Sequence, residues 1–376
     1  MTPQLPRIPW WGTSFTSGEA EAAAAAVRAK HLSQGPVTRE FEERLADYLD
    51  VPHVVAVTSG SSALLLSLLA LGIGHGDEVL VPNRTWVATA HAVHLSGATP
   101  VFVDTERQRP ILDVDDARNR VTSRTKAIFP VHMNGRCVDM DRVNTLADEL
   151  GLLVLEDAAQ ALGSRDALGR APGTLSKVGC FSLSVAKIIS TGQGGFIATR
   201  DSDLDLRLRD MRTHGVENTV DPAEWVMPGF NFRFTDILAS IGLVQLRLLP
   251  GRVTRLQDIY ARYVRGLSSI PDVEIIPMEV GEVGPYIEVL AADRDSLSLF
   301  LKEKGIETRA FYPDMDTAPY WRDGTGLDNS RVFGQRGLYL PSGPSLTDDD
   351  VDRVVSAIVE FGGHVAPDRG KYREAT

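Results

Sequence analysis

The chain has 376 residues, 43% of them hydrophobic and 24% charged, an ordinary balance for a globular protein and more length than one core usually organises, so two domains are expected. A formal net charge of −11 and a pI near 5.3, without any basic stripe, argue against a nucleic-acid partner and leave solubility as the role of the charge. The only cysteines, Cys137 and Cys180, are too few for a disulfide scaffold and lie in apolar surroundings typical of reduced thiols.

From the amino end, Met1 to Trp11 shows no basic start leading into an apolar stretch, so no export signal is read there and a cytoplasmic location is expected. Glu19 to Lys30 is alanine-rich and predicts a helix, followed by the punctuation Gly35-Pro36. Strand and helix signals then alternate to about residue 245, which predicts a mostly parallel sheet covered by helices. The first unit passes from Val54-Val55-Ala56-Val57 through Thr58-Ser59-Gly60-Ser61-Ser62 into a leucine-rich helix. Such a turn presents unpaired amides at the positive end of a helix macrodipole, so it favours an anion, a phosphate foremost, beside Gly60, Ser61 and Ser62. A serine cap on the helix is compatible with that role. The leucine run from Ala63 to Leu71 is too short to span a bilayer, and no membrane partner is expected. Gly72-Ile73-Gly74-His75-Gly76 has the look of a dinucleotide-binding loop, but it ends a helix and precedes a strand, the reverse of the order needed, and it predicts a plain turn.

Val79 to Ala90 reads as a strand, a proline-marked turn and a helix start carrying Trp86, whose flat indole can stack on a flat ring; core packing is the commoner use of tryptophan. His91 and His94 lack a third ligand, so no metal is expected. Leu152-Leu153-Val154-Leu155 is a buried strand ending in Glu156-Asp157-Ala158-Ala159-Gln160. Ligands of open α/β sheets sit beyond the carboxyl ends of parallel strands, where Asp157 can hold a protonated pyridine nitrogen or merely cap the following segment. Cys180-Phe181-Ser182-Leu183-Ser184-Val185-Ala186-Lys187 is a strand-like run that stops at an amine before Thr191-Gly192-Gln193-Gly194-Gly195. Lys187 alone among the lysines has small and apolar neighbours, where desolvation lowers an amine's pKa and leaves the free base able to attack a carbonyl.

Leu249-Pro250-Gly251 predicts a break before a helix from Arg252 to Leu267 and a strand over Pro285 to Leu290, so domains of residues 1–249 and 250–376 are expected. An amphipathic helix from Arg294 to Lys304 should stop at Gly305, and the last helix starts at Thr347-Asp348-Asp349-Asp350, which has capping-box form. The tail after Gly363 is polar and should fray.

Taken in order, these segments resemble the DegT/DnrJ/EryC1/StrS family of sugar aminotransferases that use pyridoxal 5′-phosphate. The likeness extends to Gln34-Gly35-Pro36-Val37-Thr38-Arg39-Glu40-Phe41-Glu42, Gly97-Ala98-Thr99-Pro100-Val101-Phe102-Val103-Asp104, Thr125-Lys126-Ala127-Ile128-Phe129-Pro130-Val131-His132 and Leu340-Pro341-Ser342. It implies the α/β aspartate aminotransferase-like (type I) fold, a large domain with a mostly parallel sheet plus a smaller C-terminal α+β domain. It further implies Lys187 as the Schiff-base lysine and later general base, Asp157 at the pyridine nitrogen, Gln160 at the ring oxygen and Trp86 stacked on the ring. Gly60, Ser61 and Ser182 would hold the phosphate. Asn231, in Gly229-Phe230-Asn231-Phe232-Arg233, would reach the phosphate of the partner subunit, so a homodimer is implied.

The activity that the resemblance implies is transfer of an amino group from glutamate or glutamine to a nucleotide-linked keto-sugar of the 4-keto-6-deoxyhexose type, in amino-sugar or antibiotic biosynthesis. A keto-cyclitol substrate and a non-catalytic cofactor-binding regulator are the alternatives; Lys187 speaks against the family's dehydratases, in which histidine takes that place. Leu162 stands where many members have histidine, and the segment from Asp272 to Leu290 lacks a histidine-containing stretch that many relatives carry. Arg233 and Tyr312 are the candidates for touching the sugar.

Overall fold

The structure, a computed structural model, describes residues 6–216, 224–321 and 325–365. Helix α1 (Ser17–Arg28) opens on a capping box in which the Glu19 carboxylate accepts the Thr16 N–H at 2.7 Å. Helix α2 (Pro36–Leu49) places its proline in the first turn, where the missing N–H forfeits no intrahelical bond. An alternating stretch follows: β1 (His53–Val57), α3 (Gly60–Ala70), β2 (Glu78–Pro82), α4 (Ala88–Leu95), β3 (Thr99–Val103), α5 (Val114–Asn119) and β4 (Thr125–Ile128). It continues through α6 (Met140–Leu150), β5 (Leu153–Asp157), β6 (Val178–Ser182), β7 (Gly195–Thr199) and α7 (Ser202–Arg212). The strands make one sheet in the order β1-β7-β6-β5-β4-β2-β3, with β7 antiparallel to both its neighbours and every other pairing parallel. Every residue of β2 and β7 is buried, as expected for strands covered on both faces. The carboxyl ends of β2, β4, β5 and β6 share one edge of the sheet, and the segments leaving that edge build the site.

Helix α8 (Asp236–Leu267) runs straight across the break predicted at Leu249-Pro250-Gly251, with Pro250 inside it. A mid-helix proline removes one hydrogen bond and crowds the preceding turn. Here tertiary packing overrides that cost: Leu249 and Leu256 are fully buried on either side, and Arg252 donates to the Ile188 carbonyl at 2.8 Å and to Gln245 Oε1 at 2.5 Å. Beyond α8 come β8 (Val273–Ile275), β9 (Ile287–Ala291), α9 (Arg294–Glu303), β10 (Arg309–Ala310), α10 (Asp328–Arg336), β11 (Gly337–Leu340) and α11 (Asp348–Val365). Their strands form an antiparallel sheet in the order β10-β11-β9-β8. Gly305, at φ +73°, ends α9 as predicted, and the Thr347–Asp350 capping box is formed. The tail expected to fray lies, past Val365, outside the described residues.

One apolar cluster joins the two sheets through α8, taking in Phe41 and Leu45 of α2, Phe196 of β7, Ile259 of α8, Val289 of β9, Leu338 of β11 and Ile358 of α11. With a mean hydropathy of 1.2 over its most apolar stretch, α8 has the length and composition of a membrane span, yet it packs against α1, α2 and α11. Cys137 and Cys180 are both buried and free.

Candidate active site

The acid predicted at the end of β5 is there: Asp157 closes the strand and is 4% exposed. Thr89 Oγ1, on the first turn of α4, donates to Asp157 Oδ2 at 2.7 Å, and the Ala159 N–H donates to Oδ1 at 3.0 Å. Burial pushes the Asp157 carboxyl above its ordinary value, opposed by those two hydrogen bonds and by the charge of Lys187. Beneath it, His132 Nε2 lies 2.9 Å from a Glu156 oxygen while its Nδ1 accepts the Val138 N–H at 3.2 Å, which assigns the ring proton to Nε2. Glu156 also accepts the amides of Gly173 and Leu175, each at 2.8 Å, and the Ser176 hydroxyl at 2.9 Å. Its charge is therefore fully engaged in fixing the loop before β6, and it does not reach the cavity.

Strand β6 stops at Ser182, short of the run predicted to end at Lys187. The chain leaves the sheet because Leu183 exchanges backbone bonds with Gly194 and Thr191 at 2.9 and 3.0 Å, and Lys187 enters a turn closed by its N–H on the Ser184 carbonyl at 3.1 Å. That turn aims the amine back over the sheet edge. Lys187 is half-buried by area because one side opens onto the cavity, while protein encloses the rest of its head group. Burial lowers its pKa to about 8, and the Asp157 carboxylate opposes that fall.

Gln160 is oriented from the side. Its Oε1 accepts the Asn134 N–H at 2.8 Å, which leaves Nε2 as a donor toward the cavity. Asn134 holds a left-handed backbone (φ 51°) and is itself fixed by two hydrogen bonds with the Tyr286 backbone, at 2.7 and 2.8 Å. At the start of α3, Ser59 Oγ caps the Ser62 N–H at 3.0 Å, and the first intrahelical bond runs from Ala63 to Ser59, so the Gly60 and Ser61 amides remain for an anion. A Cβ on Gly60 would stand 2.9 Å from Ser182 Cβ, so glycine allows the helix start and β6 to meet. Ser62, also expected at the anion, instead bonds Thr58 and Ser59 through its hydroxyl at 2.9 and 2.8 Å.

These parts face one cavity of about 320 Å³. Gly60, Ser61, Trp86, Asp157, Gln160, Ser182 and Lys187 all line it, as do Thr89, Tyr286, Trp10, Arg309 and Tyr312. Trp86 is 48% exposed and meets Tyr312 edge-on, with ring centroids 5.0 Å apart. The donor set suits pyridoxal 5′-phosphate: an amine of lowered pKa for its aldehyde, a buried acid for its ring nitrogen, and helix-start amides with Ser182 for its phosphate.

Asn231 lies outside this cavity. It is exposed, and its Oδ1 accepts from Arg233 Nε at 2.9 Å. Arg233 lines a separate cavity with Arg39, Glu42 and Arg212, so in its own chain it is not beside Lys187. His91 pairs with the Tyr320 hydroxyl at 2.9 Å. Leu162 is buried in the core.

Sequence reasoning missed Thr89, Tyr286, Trp10 and Arg309. Thr89 follows Trp86 by three residues at a helix start, and its N–H and hydroxyl meet the Trp86 carbonyl, each at 3.3 Å, a proximity that offered a usable signal. The others lie far from the motifs along the chain and carry no local pattern.

The model of the DegT/DnrJ/EryC1/StrS aminotransferase family matches residues 14–359. A GDP-perosamine synthase of Caulobacter vibrioides is 38% identical over 340 residues, 87% of this chain and 90% of that protein. Another, from Escherichia coli O157:H7, is 34% identical over 360 residues, 94% of this chain and 98% of its own length. Among solved structures, S. venezuelae DesV, in complex with a ketimine intermediate, superposes with a TM-score of 0.90 at 33% identity, covering 95% of this chain and 99% of DesV. A match that spans the cofactor cavity and both sheets admits one assignment: the chain belongs to the DegT/DnrJ/EryC1/StrS family and is a pyridoxal-phosphate-dependent aminotransferase of the aspartate aminotransferase-like fold.

Proposed function

We propose that this chain, as a cytoplasmic homodimer, transfers an amino group from glutamate or glutamine to a nucleotide-linked keto-sugar of the 4-keto-6-deoxyhexose type, in amino-sugar and antibiotic biosynthesis. The observation that carries the chemistry is Lys187, with its pKa lowered to about 8, facing the same cavity as the buried Asp157. The names of two relatives, both GDP-perosamine synthases, support a nucleotide-linked sugar as acceptor.

Pyridoxal 5′-phosphate supplies an aldehyde that carries the nitrogen and a ring that accepts electrons from the donor's α-carbon. Asp157 keeps a proton on the ring nitrogen, helped by the Thr89 hydroxyl that holds the carboxylate in place. Lys187 would hold the cofactor's aldehyde carbon, and its amine, when free, would take the proton from the donor's α-carbon. Gly60, Ser61 and Ser182 receive the phosphate, Gln160 Nε2 the ring oxygen and Trp86 the ring face. Residues 1–249 supply these contacts, whereas residues 250–376 bring Tyr286, Arg309 and Tyr312 to the same cavity. Asn231, outside its own cavity, is the residue we assign to the partner subunit's phosphate.

The test is direct. Reconstituted enzyme given glutamate and a GDP-linked 4-keto-6-deoxyhexose should aminate the sugar, and should leave scyllo-inosose untouched; amination of the cyclitol alone would discard the sugar reading. Lys187→Ala should abolish turnover and the visible absorbance of the lysine-bound cofactor while the protein still binds the cofactor. Sedimentation should give a dimer, and a fully active monomer would remove the role given to Asn231.

A further inference from the structure

One backbone bond closes the turn that carries Lys187, and side chains from distant parts of the chain hold the carbonyls around it. Trp11 Nε1 and the Thr13 hydroxyl both donate to the Val185 carbonyl at 3.2 Å, and Arg252 donates to the Ile188 carbonyl at 2.8 Å. The Ala186 carbonyl, one residue before the amine, accepts the Tyr286 hydroxyl at 2.6 Å. Tyr286 stands just before β9, 100 positions beyond Ala186. Three rings fix its own: those of Trp10, Trp11 and Tyr339, with centroids 5.6, 5.4 and 5.5 Å away. Burial pushes its phenol well above the ordinary tyrosine value, so the group stays a protonated donor.

The backbone of the same residue reaches a second wall of the cavity. Asn134 Nδ2 donates to the Tyr286 carbonyl at 2.7 Å, and the Tyr286 N–H donates to Asn134 Oδ1 at 2.8 Å. That pair pins Asn134 in its left-handed conformation, from which its own N–H holds Gln160 Oε1 at 2.8 Å. The segments meet closely here: a Cβ on Gly135, at φ +79°, would stand 2.0 Å from the Val283 carbonyl oxygen. The Ser164 hydroxyl ties them again, donating to the Gly135 carbonyl at 2.8 Å and accepting the Val283 N–H at 3.0 Å. Lys187 and Gln160, carried by separate segments of the large sheet, are therefore both bound to one residue beside the small sheet. Misplacing a reacting group by about 1 Å can cost on the order of 100-fold in rate, and a side chain is only as well placed as the backbone that carries it. We propose that Tyr286 is a positioning residue for the cofactor: its hydroxyl sets the turn that aims the Lys187 amine, and its backbone, through Asn134, sets the amide of Gln160. The proposal rests on the aminotransferase reading above and adds the residue that keeps those two groups in register.

Two variants probe the hydroxyl and the backbone contacts separately. Tyr286→Phe keeps the ring contacts and the bonds to Asn134 and removes only the donor to Ala186. Cofactor-free protein carrying it should capture pyridoxal 5′-phosphate about tenfold more slowly than the parent. The inflection of capture rate with pH, at about 8 in the parent, should move upward as the amine gains water. A lowered unfolding midpoint with capture rate and inflection unchanged overturns the proposal, because the hydroxyl then serves stability alone. Asn134→Gly leaves the left-handed backbone accessible and removes both side-chain bonds to Tyr286. In the holoenzyme a donor at the ring oxygen weakens that oxygen's hold on the proton of the lysine-bound nitrogen. A loosened Gln160 should therefore let the visible band persist to a pH about one unit higher, with the capture inflection left near 8. An unmoved band overturns the claim that one residue sets both groups. If Tyr286→Phe does not fold, Asn134→Gly decides through the same band. Parent protein that captures the cofactor at Lys187, with both variants behaving as the parent does, overturns the positioning role alone; a parent that captures none overturns the cofactor site and this role with it. Intact capture without amination of a keto-sugar would sink only the sugar assignment, and Tyr286 would still be judged on capture and the band.

Discussion

The shared cavity of Lys187 and Asp157 follows from positions that the sequence displays: an amine among small apolar residues and an acid at the end of a buried strand. Removing water from both weakens the charge on each, which is why the amine falls to about 8 while the carboxyl rises. The attacking species is the neutral amine, so capture of cofactor by the cofactor-free protein should accelerate as pH rises through about 8, well below the usual lysine range. A stopped-flow profile whose inflection stays near that of an ordinary lysine would contradict the burial argument. Thr89 sets the other side of the balance. Thr89→Val removes a 2.7 Å hydrogen bond that favours the charged carboxylate, so Asp157 should protonate more readily and hold the ring proton less well. Turnover should fall by about tenfold, with the unfolding midpoint little changed; an unaltered kcat would show that the hydroxyl has no part in tuning the acid.

At the scale of elements, strand-turn-helix units read well because their signals are local. A β-branched run, a cluster of small residues and a leucine-rich stretch announce β1 and α3, and the free amides of Gly60 and Ser61 follow from helix-end physics. The sequence does not tell which serine in the row caps: Ser59 does so, and the Ser62 hydroxyl bonds its neighbours Thr58 and Ser59. The break at Pro250 was misread for a different reason: proline's effect is local, whereas the packing that keeps α8 continuous comes from Ile188, Gln245 and the core on either side. Pro250 itself is exposed, so it contributes little packing and leaves a gap in the hydrogen-bond ladder. Pro250→Ala should therefore stabilise the protein, by about 1–2 kcal/mol once the greater freedom of the unfolded alanine chain is counted. Urea titration would read this as a higher midpoint, and a lower one would mean that the packing of α8 requires the proline at 250.

At the scale of the whole molecule, the mouth of the cavity depends on contacts that no motif announces. The turn carrying Trp86 and the segment after β10 are held together by the buried pair Arg84–Asp314, residues 230 positions apart along the chain. Arg84 also donates to the Tyr312 carbonyl at 2.7 Å, and the Asn83 side chain and carbonyl accept the amides of Asp316 and Met315, both at 3.0 Å. Arg331 ties Asp314 and Asp316 from the far side. The clamp fixes Tyr312, which in turn meets Trp86 and flanks Arg309, so two rings and a cation of the cavity wall are set by one charged cluster. Arg84→Met keeps the bulk but removes one of the two cations on Asp314, leaving a nearly buried carboxylate with only the half-exposed Arg331. Breaking such a pair from one side should cost about 3 kcal/mol, because the residual charge stays desolvated. The loosened Tyr312 should raise KM for both donor and keto-sugar several-fold while the Lys187-linked absorbance persists, since neither Asp157 nor the start of α3 touches the clamp. Denaturant unfolding together with steady-state kinetics checks both halves of the expectation: a variant as stable as its parent with unchanged KM values would mean that the two parts of the cavity wall are positioned independently of Arg84.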